Sequence, residues 1–342
     1  MPTKSLIAPG NRIPTLDGWR CVAIIAVLLS HLQYVFLGGE YHGYAWLNFS
    51  QHGVQLFFVL SGYLITSQLL AEGRIHLGRF YVRRFFRLMP AAWLYLGFLG
   101  LLTAYTPMKV LGQDVWPCLF FYRNYVLETA ANTCTEHFWS LSLEEQFYLV
   151  WPPLLVLLGR RNAGLLAVVS VMAISLYRLY CWGQLSQGLT FQHTEVRADA
   201  ILVGCLLAYL LQREQVRTWF ARNGVWVCLT CLPVLVWDVY AYHSLIPLHE
   251  TLLISCVLAA TSLSPGMFIS RLLDLQHVRF TGVLSYGIYV WQGVFLRPAW
   301  GIWGPMLLGI AFLGSWVLVE QPLSKVGRWL VARMALQTAR AE

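Results

Sequence analysis

Ten runs of predominantly apolar residues constrain this chain most: 16–37, 52–71, 88–106, 139–158, 163–182, 197–212, 224–242, 247–264, 280–298 and 302–321. A helix of about 20 apolar residues crosses the hydrocarbon core of a bilayer, because its backbone satisfies its own hydrogen bonds there. The rest of the sequence fits that reading. Its 342 residues are 58% hydrophobic and 12% charged, where an ordinary soluble domain carries about 25% charge. So few charges cannot clothe a water-exposed surface, and the excess apolar surface must face lipid. The 15 Trp and 17 Tyr suit the aromatic belts of the two interfaces. The predicted fold class is an all-α polytopic membrane protein of about ten transmembrane helices, forming one membrane domain over 1–342.

Positive charge sets the orientation. Arg74, Arg79, Arg83, Arg84 and Arg87 crowd the segment 72–87, whereas 38–51 contains no Lys or Arg. The first segment is therefore cytoplasmic and the second external. Arg160 and Arg161 mark another inner segment, as do Arg213, Arg217 and Arg222, then Arg271 and Arg279, then Lys325, Arg328, Arg333 and Arg340. Ten spans satisfy all of these and make 1–15 and 322–342 short cytoplasmic tails. The stretch 107–126, with Pro107, Lys109, Asp114, Pro117 and Arg123, is an eleventh candidate that would put the tail outside. It is predicted instead to be re-entrant or to lie on the outer leaflet. Irregular backbone at that depth needs a protein-lined cavity, which makes it a candidate wall of a substrate pocket.

The net charge of +8 is explained by these inner segments, and no nucleic-acid partner is implied. The first run follows Lys4 and Arg12, but it is longer than a signal-peptide core and no A-x-A-like site follows it, so it reads as a retained span. The eight Cys lie mostly in apolar runs without metal-ligand spacing, and Cys228 and Cys231 lack a second C-x2-C partner, so no metal is expected. Cys118 and Cys134, both toward the outside, are the one pair that suggests a disulfide.

Ionisable side chains inside spans are costly and mark function more often than they mark packing. Arg20 and His31 both lie in the first span, eleven residues apart. Eleven residues at about 100° each come within about 20° of three turns, so the two share a face, roughly 16 Å apart along the axis. One reading has Arg20 snorkelling to inner headgroups and His31 bonding a neighbouring helix. The other is chemical, since histidine is the side chain best suited to accept a proton near neutrality. Glu144 and Glu145 sit just inside the outer end of a span, where they can orient a histidine or cap the interface. Arg178, Arg197, Asp199, Asp238 and Glu320 read as structural, with Arg197 and Asp199 candidates to pair with each other. Arg84 and Arg87, three apart, are neighbours on one helix face. Such a fork holds phosphates, although the positive-inside rule alone already predicts arginines here.

Taken together, the first-span Arg20-x10-His31 and the segments GVQLFFVLSGYLI (53–65), FYVRRFFRLMP (80–90), FWSLSLEEQFYLVWP (138–152), RADAILVG (197–204), LSYGIYVWQ (284–292) and VEQP (319–322) resemble the acyltransferase-3 family of membrane O-acyltransferases. The resemblance runs in order from about Leu16 to Arg328. It implies a membrane enzyme, by family frequency of a bacterial inner membrane, that binds no resident cofactor and takes acyl-CoA, foremost acetyl-CoA, as co-substrate from the cytoplasm. The acceptor it implies is a hydroxyl of a cell-surface or lipid-linked glycan. Carried over by motif, His31 is the central catalytic residue, Arg84 and Arg87 engage the donor phosphates, and Arg20 supports that end of the path. Glu144 or Glu145 then fixes the tautomer of His31 and stabilises its imidazolium. Trp139, Trp151 and Trp291 are acceptor-side candidates for packing on a sugar ring, or else interface anchors.

Two departures from the family pattern stand out: Gln292 where a histidine is common, and Gln321 where an arginine is common. Many relatives also carry a fused extracytoplasmic esterase-like domain, and 322–342 is too short for one, so the expectation is a protein that acts alone or with a separate extracytoplasmic partner. Two rivals remain at this stage. One is a transporter or flippase using His31 with Glu144 and Glu145 as a proton relay, although no inverted repeat is visible. The other is a noncatalytic assembly subunit that keeps the fold.

Overall fold

The computed structural model describes residues 13–36, 49–106, 112–126, 134–181, 192–241 and 248–341. Among these every regular element is helical: α1 (Pro14–Phe36), α2 (Phe49–Ala71), α3 (Leu77–Tyr105), α4 (Gly112–Leu119), α5 (Phe138–Tyr180), α6 (Thr194–Arg197), α7 (Asp199–Leu210), α8 (Glu214–Ala241), α9 (Leu248–Leu263), α10 (Phe268–Leu273), α11 (Gln276–Phe295), α12 (Trp303–Ser315) and α13 (Gln321–Ala341). Six stretches are long and apolar enough to cross a membrane: Pro14–Gln33, Phe49–Ala71, Leu77–Tyr105, Phe138–Tyr180, Glu214–Asp238 and Trp303–Gln337. Among the described residues each of the ten apolar runs is mainly helical, and the protein is an all-α integral membrane protein.

Several boundaries differ from expectation, each for a physical reason. The run 139–158 and the run 163–182 as far as Tyr180 belong to the single 43-residue α5, interrupted only at Gly159 with φ 72° and ψ 164°. A residue without a Cβ takes that left-handed conformation at little cost, so one residue replaces the expected inner loop. The run 197–212 divides into α6 and the 12-residue α7. At about 1.5 Å per residue α7 is some 18 Å long, less than the roughly 30 Å of a hydrocarbon core. Helix α3 starts at Leu77, eleven residues before the apolar run, so the arginines of 79–87 lie on a helix. Of the residues 322–342, expected as a tail, those as far as Ala341 continue as α13. The stretch 107–126 contains α4 and a single 3-10 turn at Arg123–Tyr125, while 107–111, with Pro107 and Lys109, fall outside the described residues. Most of the segment 38–51 also falls outside them.

The chain forms two compact units, one from residues 1–73 and 143–285, the other from 74–142 and 286–342. In the first unit α1 buries Leu16, Ala23, Ile24 and Val27 while Val22, Ile25 and Leu29 stay exposed. An apolar helix with both a packed and an open apolar face is suited to protein on one side and lipid on the other. Helix α2 packs on α1 and α7 at backbone contact. A Cβ on Gly53 would lie 2.6 Å from the Ala23 carbonyl oxygen, and one on Gly62 would lie 1.9 Å from that of Ile201. Gly204 of α7 reciprocates, its Cβ position being 2.2 Å from the Val59 carbonyl oxygen. Helices α8 and α9 close around Val227, Cys228, Cys231, Val257 and Ala260, which places the C-x2-C pair in a packed apolar core.

In the second unit α13 lies along α3. A Cβ on Gly327 would meet the Phe86 Cβ at 2.7 Å, and Ser324 Oγ donates to the Phe86 carbonyl at 3.5 Å. A π turn, Trp316–Glu320, joins α12 to α13. All eight cysteines are free thiols, so the disulfide suggested for Cys118 and Cys134 is absent. Burial pushes the Cys118 thiol up to about 12 and raises that of Cys134.

Candidate functional site

Arg20 and His31 lie on one unbroken helix, α1. Arg20 Nη1 donates to Asp17 Oδ1 at 2.9 Å, one turn back. Asp17 is itself fixed by close packing, since a Cβ on Gly282 would lie 1.7 Å from its carbonyl oxygen. His31 is half-buried. Among the described residues no hydrogen bond or ion pair reaches its ring. The neighbouring Ser30 is engaged: its Oγ accepts from the Ser50 backbone N–H at 2.8 Å. This bond ties the C-terminal part of α1 to the first turn of α2, at the level of His31.

Glu144, on the opening turns of α5, accepts a short hydrogen bond from Ser61 of α2. Glu145 beside it is half-buried. The next residue but one along this stretch is also tied down, because Thr194 Oγ1 donates to Gln146 Oε1 at 2.5 Å. Trp151 is 2% exposed, and its Nε1 donates to Thr66 Oγ1 at 2.8 Å.

Three polar contacts that sequence spacing did not single out lie in the same unit. His52 Nδ1 is 2.8 Å from Glu250 Oε1, with side-chain exposures of 10% and 2%. Gln55 Nε2, one turn along α2, donates to Thr251 Oγ1 at 2.5 Å. Arg178 grips Asp199 through both Nη atoms, at 3.2 and 2.8 Å. The expected pairing of Arg197 with Asp199 is corrected accordingly. Asp199 gives its two oxygens to Arg178, and Arg197 Nη2 donates to Gln51 Oε1 at 3.3 Å while feeling the charges of Asp199 and Glu250. The available signal was an acidic residue, Glu250, inside the apolar run 247–264, and a histidine beside the Gly53 motif.

The second unit holds Arg84, Arg87, Trp139 and Trp291. Arg84 lies over the Phe80 ring at 5.9 Å, and Arg87 is exposed on the same face of α3. Glu320, in the π turn, accepts from Ser315 Oγ at 2.9 Å and lies within the electrostatic reach of Arg87. Its carboxylate rests where Gly287 leaves room, the Gly287 Cβ position being 3.0 Å from Oε1. Trp139 and Trp291 are buried, 6% and 5% exposed. Trp291 packs on Tyr95, Phe98 and Phe295 with ring centroids 5.3–6.2 Å apart. Gln292 is 1% exposed, and neither amide atom finds a partner among the described residues.

The fold and these side chains define a polytopic all-helical membrane protein with partly buried ionisable groups on its first two helices and an arginine face at the start of the third. Comparison narrows the class. The sequence profile of the acyltransferase-3 family, described as an acyltransferase domain, matches residues 13–320, and the chain belongs to that family. It is 30% identical to YrhL of Bacillus subtilis over 319 residues. It is 27% identical to the peptidoglycan O-acetyltransferase OatA of Listeria monocytogenes over 313 residues, and 27% identical to the O-acetyltransferase OatA of Staphylococcus aureus over 314. These alignments cover 82% of this chain and 48%, 49% and 50% of the relatives, so the chain spans about half the length of the curated relatives it matches. No solved structure matches it.

Proposed function

We propose that this protein is an O-acyltransferase that moves an acetyl group from cytoplasmic acetyl-CoA to a hydroxyl of a cell-surface or lipid-linked glycan, with peptidoglycan as the acceptor. The observation that carries the reading is the family match across 13–320, with Arg20 and His31 held on one unbroken helix. Two relatives named for O-acetylation support acetyl as the group and glycan as the acceptor. In this reading Arg84 and Arg87 hold the donor phosphates at the cytoplasmic mouth, as guanidinium pairs do well. Arg20 supports the pantetheine arm, and the thioester comes to rest at His31. That imidazole either takes the acceptor's proton or carries the acyl group for a time. A glycan reaching Trp139, Trp151 or Trp291 must first open the packing that buries them.

The test is incorporation of radiolabelled acetyl from acetyl-CoA into cell-surface glycan at matched membrane levels. Wild type should label the glycan, while His31→Ala and Arg84→Ala should lose most of the label. Full labelling by His31→Ala would remove the catalytic assignment. No label with wild type, with the extracytoplasmic fraction of the host restored, would refute the acyltransferase reading.

A further inference from the structure

One buried histidine–carboxylate pair has no place in that scheme, and its geometry differs from that of His31. Nδ1 of His52 faces Glu250 Oε1 at 2.8 Å. With Glu250 as a carboxylate, which only accepts, the proton belongs on Nδ1 and the lone pair on Nε2. Among the described residues nothing hydrogen-bonds to Nε2. This is how a general-base histidine is prepared: one nitrogen held and oriented by a buried acid, the other open. His31 has the opposite arrangement, since no carboxylate reaches it among the described residues.

The two histidines also share a level. The Ser50 N–H to Ser30 Oγ bond joins their helices one residue from His31 and two from His52. The Gly53 backbone sits against Ala23, and its Cβ position is 3.0 Å from Val27 Cγ2, one turn inward on the face that carries His31. Glu250 is anchored in turn: Gln55 of α2 donates to the adjacent Thr251. The charges facing this part of α2 are few. Helix α1 offers His31, α5 offers Glu144, which is bonded to Ser61, and α9 offers Glu250. Arg197 and Asp199 lie on α6 and α7, the latter gripped by Arg178. The other acid-paired histidines, His193 with Glu195 and His249 with Asp238, have more exposed side chains, 19% and 47%.

We propose that His52, positioned by Glu250, is the base for the acceptor hydroxyl, and that His31 is the acyl carrier. The inference rests on the acyl-transfer reading above and divides its two steps. First a nitrogen of His31 attacks the thioester carbon, the C–S bond breaks, and the departing sulfur takes the ring proton, giving free CoA thiol and a neutral acyl-imidazole. Then His52 Nε2 takes the proton of the acceptor hydroxyl, and its oxygen forms the C–O bond. The C–N bond to His31 breaks, and the leaving imidazole recovers its proton from His52. Both histidines end neutral, and no oxidant or further reactant is needed.

The experiment uses the purified full chain in nanodiscs with labelled acetyl-CoA and a soluble peptidoglycan disaccharide, reading CoA release in a single turnover and label on the saccharide separately. His52→Asn should release CoA as wild type does, hold the label on protein, and transfer to the saccharide at least about 100-fold more slowly, the scale of a lost general base. Glu250→Gln should cause a smaller loss, about 10-fold, with the acid limb of the transfer pH profile displaced, because an amide holds the ring without stabilising its charge. His31→Asn should abolish both readouts. Retained CoA release also shows that the His52 variant is folded. Unchanged transfer by His52→Asn, or equal loss of both readouts, would overturn the assignment. Absence of CoA release by wild type would instead overturn the donor and the acyl-transfer reading, and the inference with it.

Discussion

Burying an ion requires a partner, and in the first unit the partners come from distant parts of the chain. Arg178 and Asp199, 21 residues apart in sequence, form a two-pronged contact with side-chain exposures of 7% and 1%. Removing one member of such a pair strands the other and costs about 3–5 kcal/mol. Asp199→Ala is therefore expected to lower the unfolding midpoint in detergent sharply, and Arg178→Lys, which keeps charge but loses the fork, by less. Gln292 makes the complementary case. An amide buried to 1% exposure without a partner among the described residues forfeits about 1–3 kcal/mol, so Gln292→Leu should raise the same midpoint. A fall would mean that the amide is bonded in the working protein. Neither feature is legible in the sequence. Spacing placed Asp199 with its near neighbour Arg197, yet which of two arginines claims a carboxylate is decided by tertiary packing. His52 escaped notice for the same reason, its acid lying 198 residues away.

At the scale of the element, the α2–α7 contact depends on two glycines facing each other's helix. Without a hydrophobic driving force between helices in lipid, close backbone approach supplies the attraction. A methyl at Gly62 would fall 1.9 Å from the Ile201 carbonyl oxygen, and one at Gly204 would fall 2.2 Å from that of Val59. Gly62→Ala or Gly204→Ala should therefore force the helices apart and lower the yield of folded protein on size exclusion. Gly97→Ala, with nothing within 4 Å of its Cβ position, should leave the yield unchanged and is the control. The existence and type of these elements were readable from apolar runs of span length, and the motif 53–65 already held both close-packing glycines of α2. Their ends were not. A hydropathy window stops at Arg83, Arg84 and Arg87, although helical backbone tolerates arginine well and α3 runs through them from Leu77. The one-residue break at Gly159 was hidden because Arg160 and Arg161 suggested a loop, whereas Arg160 Nη2 donates to the Glu72 carbonyl at 2.7 Å and holds the turn closed.

For the whole molecule, the last helical run bears on which side of the membrane each end faces. Residues Trp303–Gln337 form a nearly continuous helical stretch of 35 residues, about 52 Å at 1.5 Å per residue, against a core of roughly 30 Å. Some 15 residues must therefore lie beyond the hydrocarbon. These carry Lys325, Arg328 and Arg333, and they keep Val326, Trp329 and Leu336 exposed, 42%, 55% and 64%. Cations alternating with open apolar side chains suit a helix seated among headgroups, and a net positive segment of that kind favours the cytoplasmic face. The same argument places the arginines of α3, along which α13 packs, on that face. We expect reporters at both ends to agree: a phosphatase active only outside the cell should be silent when fused after Glu342 or before Met1, and a fluorescent protein that matures in the cytoplasm should be bright at both. Disagreement between the two ends would require an odd number of crossings. That result would turn 107–126 from a segment that enters and returns into a full span, and it would move the Arg84 and Arg87 donor site to the wrong side of the membrane for cytoplasmic CoA whenever the N-terminus proved external.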